Sequence, residues 1–226
     1  VTLTTSATSI AENAGSSITL TATLSGATDS AITVALDTSG TATEGTDYTD
    51  GSGNIDDIVI SAGATTGTVS FTPTDDSIYD ATSNETATIS INGVSGKTGV
   101  EENSTPQAVT ITITDNESAP TVTLATASTS IDENSGSTIT LTATVSTATF
   151  QDVTVSIDGT GGTGTEGTDF GTVSDITISA GSTTGTVAFD PTDDSTYEGN
   201  ETAGISVSGV SGGGASESGT QAVTIT

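Results

Sequence analysis

The feature that most constrains the fold of this chain is an internal duplication, because most of its first half returns in its second half. Residues 1–25 return with few changes as residues 122–146, and QAVTIT occurs both at 107–112 and at 221–226. A repeating unit of about 115–120 residues has the size of one domain rather than of a solenoid repeat. The duplication therefore predicts two consecutive domains of the same fold.

The boundary between the two copies is predicted at the polar segment DNESAP, residues 115–120. A short segment that ends on proline is typical of a stiff connector. We therefore expect a first domain at residues 1–117 and a second domain at residues 118–226. The chain opens without Met and has no secretion signal, so we also expect it to be a piece excised from a longer protein.

Alternation of apolar and polar residues predicts that each copy is a β-sandwich. β-Branched residues alternate with Thr and Ser along segments such as 18–24 and 109–113, which is typical of half-buried strands. Seven short strands in about 115 residues predict an all-β fold, two tandem seven-stranded immunoglobulin-like antiparallel sandwiches. In the first copy the predicted strands are 1–10, 17–25, 31–37, 56–61, 66–72, 86–93 and 107–114.

The charge of the chain narrows the choice of partners. It has 29 acidic residues and one basic residue, for a formal net charge of −28. Nucleic acids and anionic membrane surfaces are bound through Lys and Arg, so neither is an expected partner. No apolar run approaches the roughly 18 residues of a membrane span, so we expect no membrane insertion. The expected partners are neighbouring repeats of the same chain, and the excised piece is expected to be monomeric.

The absence of Cys and His limits the bonds, catalytic groups and metal ligands that the chain can supply. Without them the chain has no disulfides and lacks the commonest general base, and its metal ligands are limited to oxygen, which suits hard cations. Carboxylate pairs can hydrolyse glycosides, but aromatic residues, which would line a sugar-binding cleft, make up 3% of the chain. We therefore expect no enzymatic activity, no catalytic residues and no organic cofactor.

The acidic residues are predicted to gather at one end of each sandwich. With strands named A to G, the A–B, C–D and E–F connections share one end with the end of strand G. Acids of the first copy fall in these segments, at Glu12, 44–50, 75–85 and 115–117. Two carboxylates about 4 Å apart repel by about 4 kcal/mol at an effective dielectric near 20. The cluster therefore favours a bridging cation, Ca²⁺ rather than Mg²⁺, over the alternative of a solvated acidic cap.

These acidic segments also resemble a known family. AENAG at 11–15, EGTDY at 44–48, DDSTYEGNE at 193–201 and TDNE at 114–117 are similar to the Calx-β domain of sodium–calcium exchangers and large bacterial surface proteins. The resemblance covers nearly the whole chain as two tandem copies, and it implies calcium ligands in each. The implied ligands are Glu12, Asp47, Asp75, Asp76, Asp80, Glu85, Asp115 and Glu117 in the first copy, and Glu133, Asp169, Asp193, Asp194, Glu198 and Glu201 in the second.

Two departures from the family pattern affect these ligands. The first copy reads YDATSNE where the second reads YEGNE, so Asp80 has a shorter side chain than its counterpart and Glu85 lies two residues further along. The second copy ends before any counterpart of Asp115 and Glu117. Its metal site is therefore expected to be incomplete in this chain.

The resemblance and the acidic end together predict a structural role. The leading hypothesis is a calcium-binding extender module of a long extracellular bacterial protein, with Ca²⁺ at the interdomain junction rigidifying the tandem. The expected location is extracellular or on the bacterial cell surface. Two alternatives stay open: a regulatory pair of calcium-sensor domains, and a glycan- or ice-binding adhesive domain, which the many Thr residues would suit.

Overall fold

The structure is a computed structural model that describes residues 1–80, 84–103, 107–197 and 199–226. Its contacts divide the chain into two compact units, Val1–Asp76 with Ser83–Asn116, and Ser77–Thr82 with Glu117–Thr226. Apart from one 3₁₀ helix, the regular structure of the described residues is all strand. The predicted fold class, all-β with two tandem immunoglobulin-like sandwiches, is confirmed.

The first part of the chain, up to residue 114, forms strands β1 to β10 in the described residues. Their bounds are β1 (Thr2–Thr5), β2 (Ser9–Ala11), β3 (Ile18–Thr23), β4 (Ile32–Gly40), β5 (Tyr48–Thr49), β6 (Ile58–Ile60), β7 (Thr66–Pro73), β8 (Ile78–Tyr79), β9 (Glu85–Ser95) and β10 (Ala108–Thr114). All except β8 belong to the first unit, where they form two sheets, ordered β1-β3-β7-β5 and β2-β10-β9-β4-β6.

The single strand expected at residues 1–10 is instead two strands in different sheets. β1 pairs antiparallel with β3, whereas β2 pairs parallel with β10. The Thr5 hydroxyl donates to the carbonyl of Ala7 at 2.7 Å, and the Ser6 hydroxyl accepts from the amide of Thr19 at 2.9 Å. Such side-chain bonds to the backbone compete with a continuous ladder. They divide the strand, and β2 is thereby directed along the edge of β10.

The core of the first unit lies between its two sheets and follows the alternation of the sequence. Ile18, Leu20 and Ala22 of β3 are buried, while the Thr residues between them are not. Tyr48 and Phe71 stack in this core with ring centroids 4.6 Å apart. Because Tyr48 is anchored there, the long connection between β4 and β6 is fixed at its middle.

The second unit repeats this arrangement. Its strands are β11 (Thr121–Thr126), β12 (Ile139–Val145), β13 (Ala148–Thr149), β14 (Val153–Gly162), β15 (Ile176–Ile178), β16 (Thr184–Phe189), β17 (Ala203–Ser211), β18 (Ser216–Glu217) and β19 (Ala222–Ile225), and a 3₁₀ helix spans Glu133–Ser135. Its two main sheets are ordered β16-β12-β11-β18 and β15-β14-β17-β19, and β13 pairs with β8.

The packing of the second unit is also equivalent to that of the first. The rings of Phe170 and Phe189 lie 5.1 Å apart, in the places of Tyr48 and Phe71. The amide of Thr226 donates to the carbonyl of Thr129 at 2.9 Å, as Thr112 does to Thr8 in the first unit. Among the described residues, no helix has the length and apolar character that a membrane crossing requires.

Candidate metal centre

Glu12 is positioned by the parallel pairing of β2 with β10. The two strands run side by side to the pair Ala11 and Thr114, and the next amide, that of Glu12, donates to the carbonyl of Thr114 at 3.1 Å. The amide of Asn116 reaches Oε1 of Glu12 at 3.5 Å. The chain segments that follow β2 and β10 are therefore held next to each other.

This arrangement brings together three of the implied ligands, Glu12, Asp115 and Glu117. One carboxylate oxygen of each residue lies within 4.8 Å of the others, and all three side chains are partly buried. Oε2 of Glu117 is itself buried and accepts no hydrogen bond from the described residues, although the residue has other interactions. Oxygens on opposite sides of a calcium ion would lie about 5 Å apart. The spacing of the three acids therefore fits one divalent cation.

Asp47 and its counterpart Asp169 have a role within their own turns. Oδ2 of Asp47 accepts from the amide of Thr43 at 2.5 Å, and Oδ2 of Asp169 accepts from the amide of Thr165 at 2.6 Å. Each Asp directly precedes a buried aromatic residue of the core. The sequence reasoning assigned these acids to metal binding alone, and the structure adds that they close the turn in which they lie.

The negative charge around the first of these turns acts on the buried phenol of Tyr48 beside it. Burial raises the pKa of Tyr48, and the carboxylates of Glu44 and Asp47 raise it further, against the opposing effect of a hydrogen bond with Thr38. Both carboxylate oxygens of Glu44 accept hydrogen bonds within the protein. One accepts from the amide of Ile55 at 2.6 Å and the other from the hydroxyl of Thr38 at 3.0 Å. Glu44 therefore fixes the connection that carries Asp47.

The other implied ligands of the first copy are spread along the segment from β7 to β9. Asp75 and Asp76 are exposed, and Asp75 lines a shallow depression that Glu12 also lines. Asp80 is partly buried just after β8. Glu85 begins β9, where it stands opposite Ile113 of β10. The structure thus places Asp75 near Glu12 but does not bring the whole set into the group of three.

In the second unit, three of the implied ligands line one cleft. Glu133, Asp169 and Glu201 surround a space of about 530 Å³ together with the buried ring of Phe170. Asp132, which the sequence reasoning missed, also lines it. The signal was present in the comparison of the copies, since AEN at residues 11–13 becomes DEN at residues 132–134. Among the described residues, however, these acids do not form a group whose carboxylate oxygens lie within 4.8 Å of one another.

Two other implied ligands of the second copy are not brought into that cleft. Asp193 and Asp194 are exposed and are not among the described residues that line it. Oδ1 of Asp194 accepts from the amide of Thr196 at 2.6 Å, which stabilises the turn that follows. Glu198 lies outside the described residues.

Comparison with known proteins gives the family. A model of the Calx-beta domain matches residues 1–117 and again residues 115–226, which confirms the resemblance seen in the acidic segments. No match is found among curated protein sequences.

Three solved structures are similar to the chain at low identity. The crystal structure of CBD12 from CALX1.2 is 18% identical over 89% of this chain and 77% of that one, with a TM-score of 0.39. The calcium binding domain CBD12 of CALX1.1 is 16% identical over the same shares, 89% and 77%, with a TM-score of 0.36. Invasin, a bacterial integrin-binding protein, is 15% identical over 100% of this chain and 39% of that one, with a TM-score of 0.44. On the family match over its whole length, the chain belongs to the Calx-beta domain family, as two consecutive copies.

Proposed function

We propose that the chain is a calcium-binding structural module. The observation that carries this proposal is the group formed by Glu12, Asp115 and Glu117, whose carboxylate oxygens lie within 4.8 Å of one another. Carboxylates at this spacing repel by several kcal/mol unless positive charge lies between them. A bound cation removes this repulsion and connects the segment after β2 to the segment after β10.

The chain itself has little positive charge that could balance the three acids. Lys97, its one basic side chain, donates to Oδ1 of Asp29 at 2.7 Å. This cationic group is thus engaged by another acid, which supports the view that the compensating charge comes from solution.

The donor set favours calcium among the common cations. With neither His nor Cys in the sequence, the candidate ligands are oxygens, and loop carboxylates with backbone carbonyls suit the flexible coordination of Ca²⁺ by six to eight oxygens at about 2.3–2.6 Å. Mg²⁺ demands a stricter octahedron and keeps more of its waters. Membership of the Calx-beta family supports the same choice of ion.

The positions of the acids along the chain support the proposed extender role. Asp115 and Glu117 belong to residues 115–120, which we propose as the connector between a domain at 1–117 and a domain at 118–226. A cation held by both residues would restrict the backbone dihedrals of this connector, which otherwise retains conformational entropy. In a long extracellular or cell-surface protein bathed in calcium, this restriction would stiffen the array of domains.

Titration calorimetry of the whole chain with CaCl₂ tests the proposal, with MgCl₂ as the comparison. We expect calcium to bind with a Kd of about 10⁻⁴–10⁻³ M, as in other extracellular modules, and magnesium to bind more weakly. A Kd of about 10⁻⁷–10⁻⁵ M would favour the regulatory sensor instead. No calcium binding at millimolar concentrations would reject both functions.

Small-angle scattering tests the stiffening separately. The distribution of maximum dimensions of the chain should be narrower in calcium than in chelator, because the connector has fewer conformations to sample. Equal breadth in the two buffers, with calcium binding demonstrated by calorimetry, would leave a calcium-binding module and reject the extender role.

A further inference from the structure

A two-residue strand pairing in the second unit indicates a further interaction surface. β8 pairs parallel with β13, with Ile78 opposite Ala148 and Tyr79 opposite Thr149. The amide of Phe150 donates to the carbonyl of Tyr79 at 3.2 Å. β8 lies in the first sequence copy but belongs by its contacts to the second unit. It therefore acts as a donor strand, and the loop that carries β13 acts as its acceptor.

The duplication gives the chain a second donor. TDDSIY at residues 74–79 corresponds to TDDSTY at residues 192–197, so Thr196 and Tyr197 are the counterparts of Ile78 and Tyr79. Tyr79 is half-buried, whereas Tyr197 is 97% exposed. Thr196 is β-branched like Ile78 and suits an extended strand. The second donor keeps the tyrosine and a β-branched residue of the first, and both of these residues are exposed.

The duplication also gives the chain a second acceptor. Ala27–Thr28 corresponds to Ala148–Thr149, in the connection between the second and third sandwich strands. The hydroxyl of Thr149 donates to the carbonyl of Gln151 at 2.6 Å, and that of Thr28 donates to the carbonyl of Ser30 at 2.7 Å.

The backbone carbonyls of the two acceptor threonines are bound in the same way as well. The carbonyl of Thr28 accepts from the amide of Gly63 at 2.7 Å, and that of Thr149 accepts from the amide of Gly181 at 2.9 Å. The acceptor loop therefore has the same internal hydrogen bonds whether or not a strand is paired with it. The acceptor that is paired with a strand is the more buried of the two. Its Thr149 is fully buried, whereas Thr28 is partly exposed.

We propose that Thr196–Tyr197 is a donor strand for a further Calx-beta domain joined behind this chain, and that it pairs with an acceptor loop of the Ala27–Thr28 type. The pairing repeats the one between β8 and β13, with the amide at the position of Asp29 donating to the carbonyl of Tyr197. The occupant is thus another copy of this chain's own first domain, recognised through backbone hydrogen bonds.

Because the ladder is so short, we expect the partner domain to belong to the same polypeptide. Two strand residues supply too few hydrogen bonds to hold separate molecules together, because association must offset the loss of translational and rotational freedom. A domain in the same polypeptide is present at a high effective concentration, so a short ladder suffices. The same edge-strand addition is used in many peptide complexes.

A linked protein with two copies of the chain tests this inference. Residues 113–121, inserted between Thr226 and the second Val1, keep the natural spacing of the repeats, since 221–226 has the sequence of 107–112. Tyr197→Phe in the second copy leaves one Tyr197 as the reporter. Tyrosine nitration, followed by mass spectrometry of the peptides, measures its accessibility. We expect Tyr197 to react several-fold more slowly in the linked protein than in the single chain.

Two variants of the linked protein serve as matched controls. Asp29→Pro in the second copy removes the amide that is proposed to donate, and it should restore fast nitration of Tyr197. Asp29→Asn keeps that amide while it removes the ion pair with Lys97, and it should leave Tyr197 protected. Equal nitration rates of Tyr197 in the linked protein and in the single chain would overturn the proposal, whether or not calcium binds.

Discussion

The backbone amide of Glu12 donates to the carbonyl oxygen of Thr114 at 3.1 Å, and this bond continues the parallel ladder of β2 and β10 by one residue. The candidate metal centre thus begins where the ladder ends. Because the backbone brings the two segments together, their proximity does not depend on the side chains of the acids. Substitution of an acid should therefore change cation affinity without unfolding the unit.

Loss of one carboxylate from the group of three should weaken calcium binding. For Glu12→Gln we expect calcium affinity to fall about tenfold or more, since the affinity of such sites depends on the number of charged ligands. Gln retains an oxygen that can accept from the amide of Asn116. In chelator the variant should be as stable as the parent or more stable, because repulsion among the acids is reduced. Calorimetry and denaturant unfolding measure the two quantities.

Glu101→Gln is the matched control for this experiment. Glu101 is an exposed acid in the connection between β9 and β10, and its substitution removes the same charge without touching the three acids. Calcium affinity should then be unchanged. If both variants lost affinity equally, the effect would come from net charge rather than from coordination.

Calcium should raise the thermal stability of the chain. At one hundred times its Kd, a ligand that binds the folded state alone adds about 2.7 kcal/mol per site. For a domain of this size, that corresponds to a rise in Tm on the order of 10 °C. Calorimetric scans in CaCl₂ and in chelator measure the shift, and MgCl₂ at the same ionic strength controls for screening. Equal Tm values in calcium and chelator would contradict calcium-linked stability.

Much of the fold could be predicted because the sequence alternates so regularly. Ile18, Leu20 and Ala22 are buried as their period of two requires, and the duplication extended this interpretation to the second copy. The change of sheet after β1 could not be predicted, because it depends on side-chain bonds from Thr5 and Ser6 that resemble ordinary strand chemistry in the sequence.

Strand order predicts that acids of separate segments meet at one end, but it does not predict the role of each acid. The structure groups Glu12 with Asp115 and Glu117 through the β2–β10 ladder. It gives Asp47 a hydrogen bond in its own turn. Whether an acid closes a turn or faces a cation depends on loop geometry, which composition and spacing do not specify. Asp132 was missed because the first copy has an alanine at the equivalent position.

The turn-closing role of Asp47 predicts an effect that is independent of metal. Asp47→Ala removes the carboxylate that accepts from the amide of Thr43 at 2.5 Å. We expect a loss of about 1–2 kcal/mol in the free energy of unfolding in chelator. Asp75→Ala, which alters an exposed acid, should change it by less than about 0.5 kcal/mol. Equal stability of the two variants would mean that the turn does not depend on this bond.

The hydrogen bonds of Asp50 predict that the free energy of unfolding falls as the solution becomes acidic. Hydrogen bonds from the backbone and side chain of Ser52 hold the pKa of Asp50 below its ordinary value. A group whose pKa is lower in the folded state contributes stability above its unfolded pKa and loses it as the pH falls through its folded pKa. In chelator, the free energy of unfolding of Asp50→Asn should therefore decline less steeply below about pH 4 than that of the parent. Parallel curves for the two proteins, from urea titrations at successive pH values, would refute this.

Gly40 lies where any side chain should be strongly destabilising. It ends β4 with a φ of +127°, where a Cβ would overlap the carbonyl oxygen of Thr86. Gly162 makes the equivalent approach to Thr202 in the second unit. Because both backbone strain and overpacking oppose a side chain there, Gly40→Ala should lower the free energy of unfolding by about 2–4 kcal/mol.

Gly93→Ala is the control for this substitution, because a Cβ at that position in β9 meets nothing within 4 Å and its φ is not positive. It should be neutral or slightly stabilising, since alanine restricts the unfolded chain. Denaturant unfolding in chelator compares the two variants with the parent. Gly40 also lies where the chain leaves β4 for the connection that carries Asp47. Because the new Cβ would also meet Thr86, which directly follows Glu85, we expect Gly40→Ala to weaken calcium binding if either Asp47 or Glu85 belongs to the site.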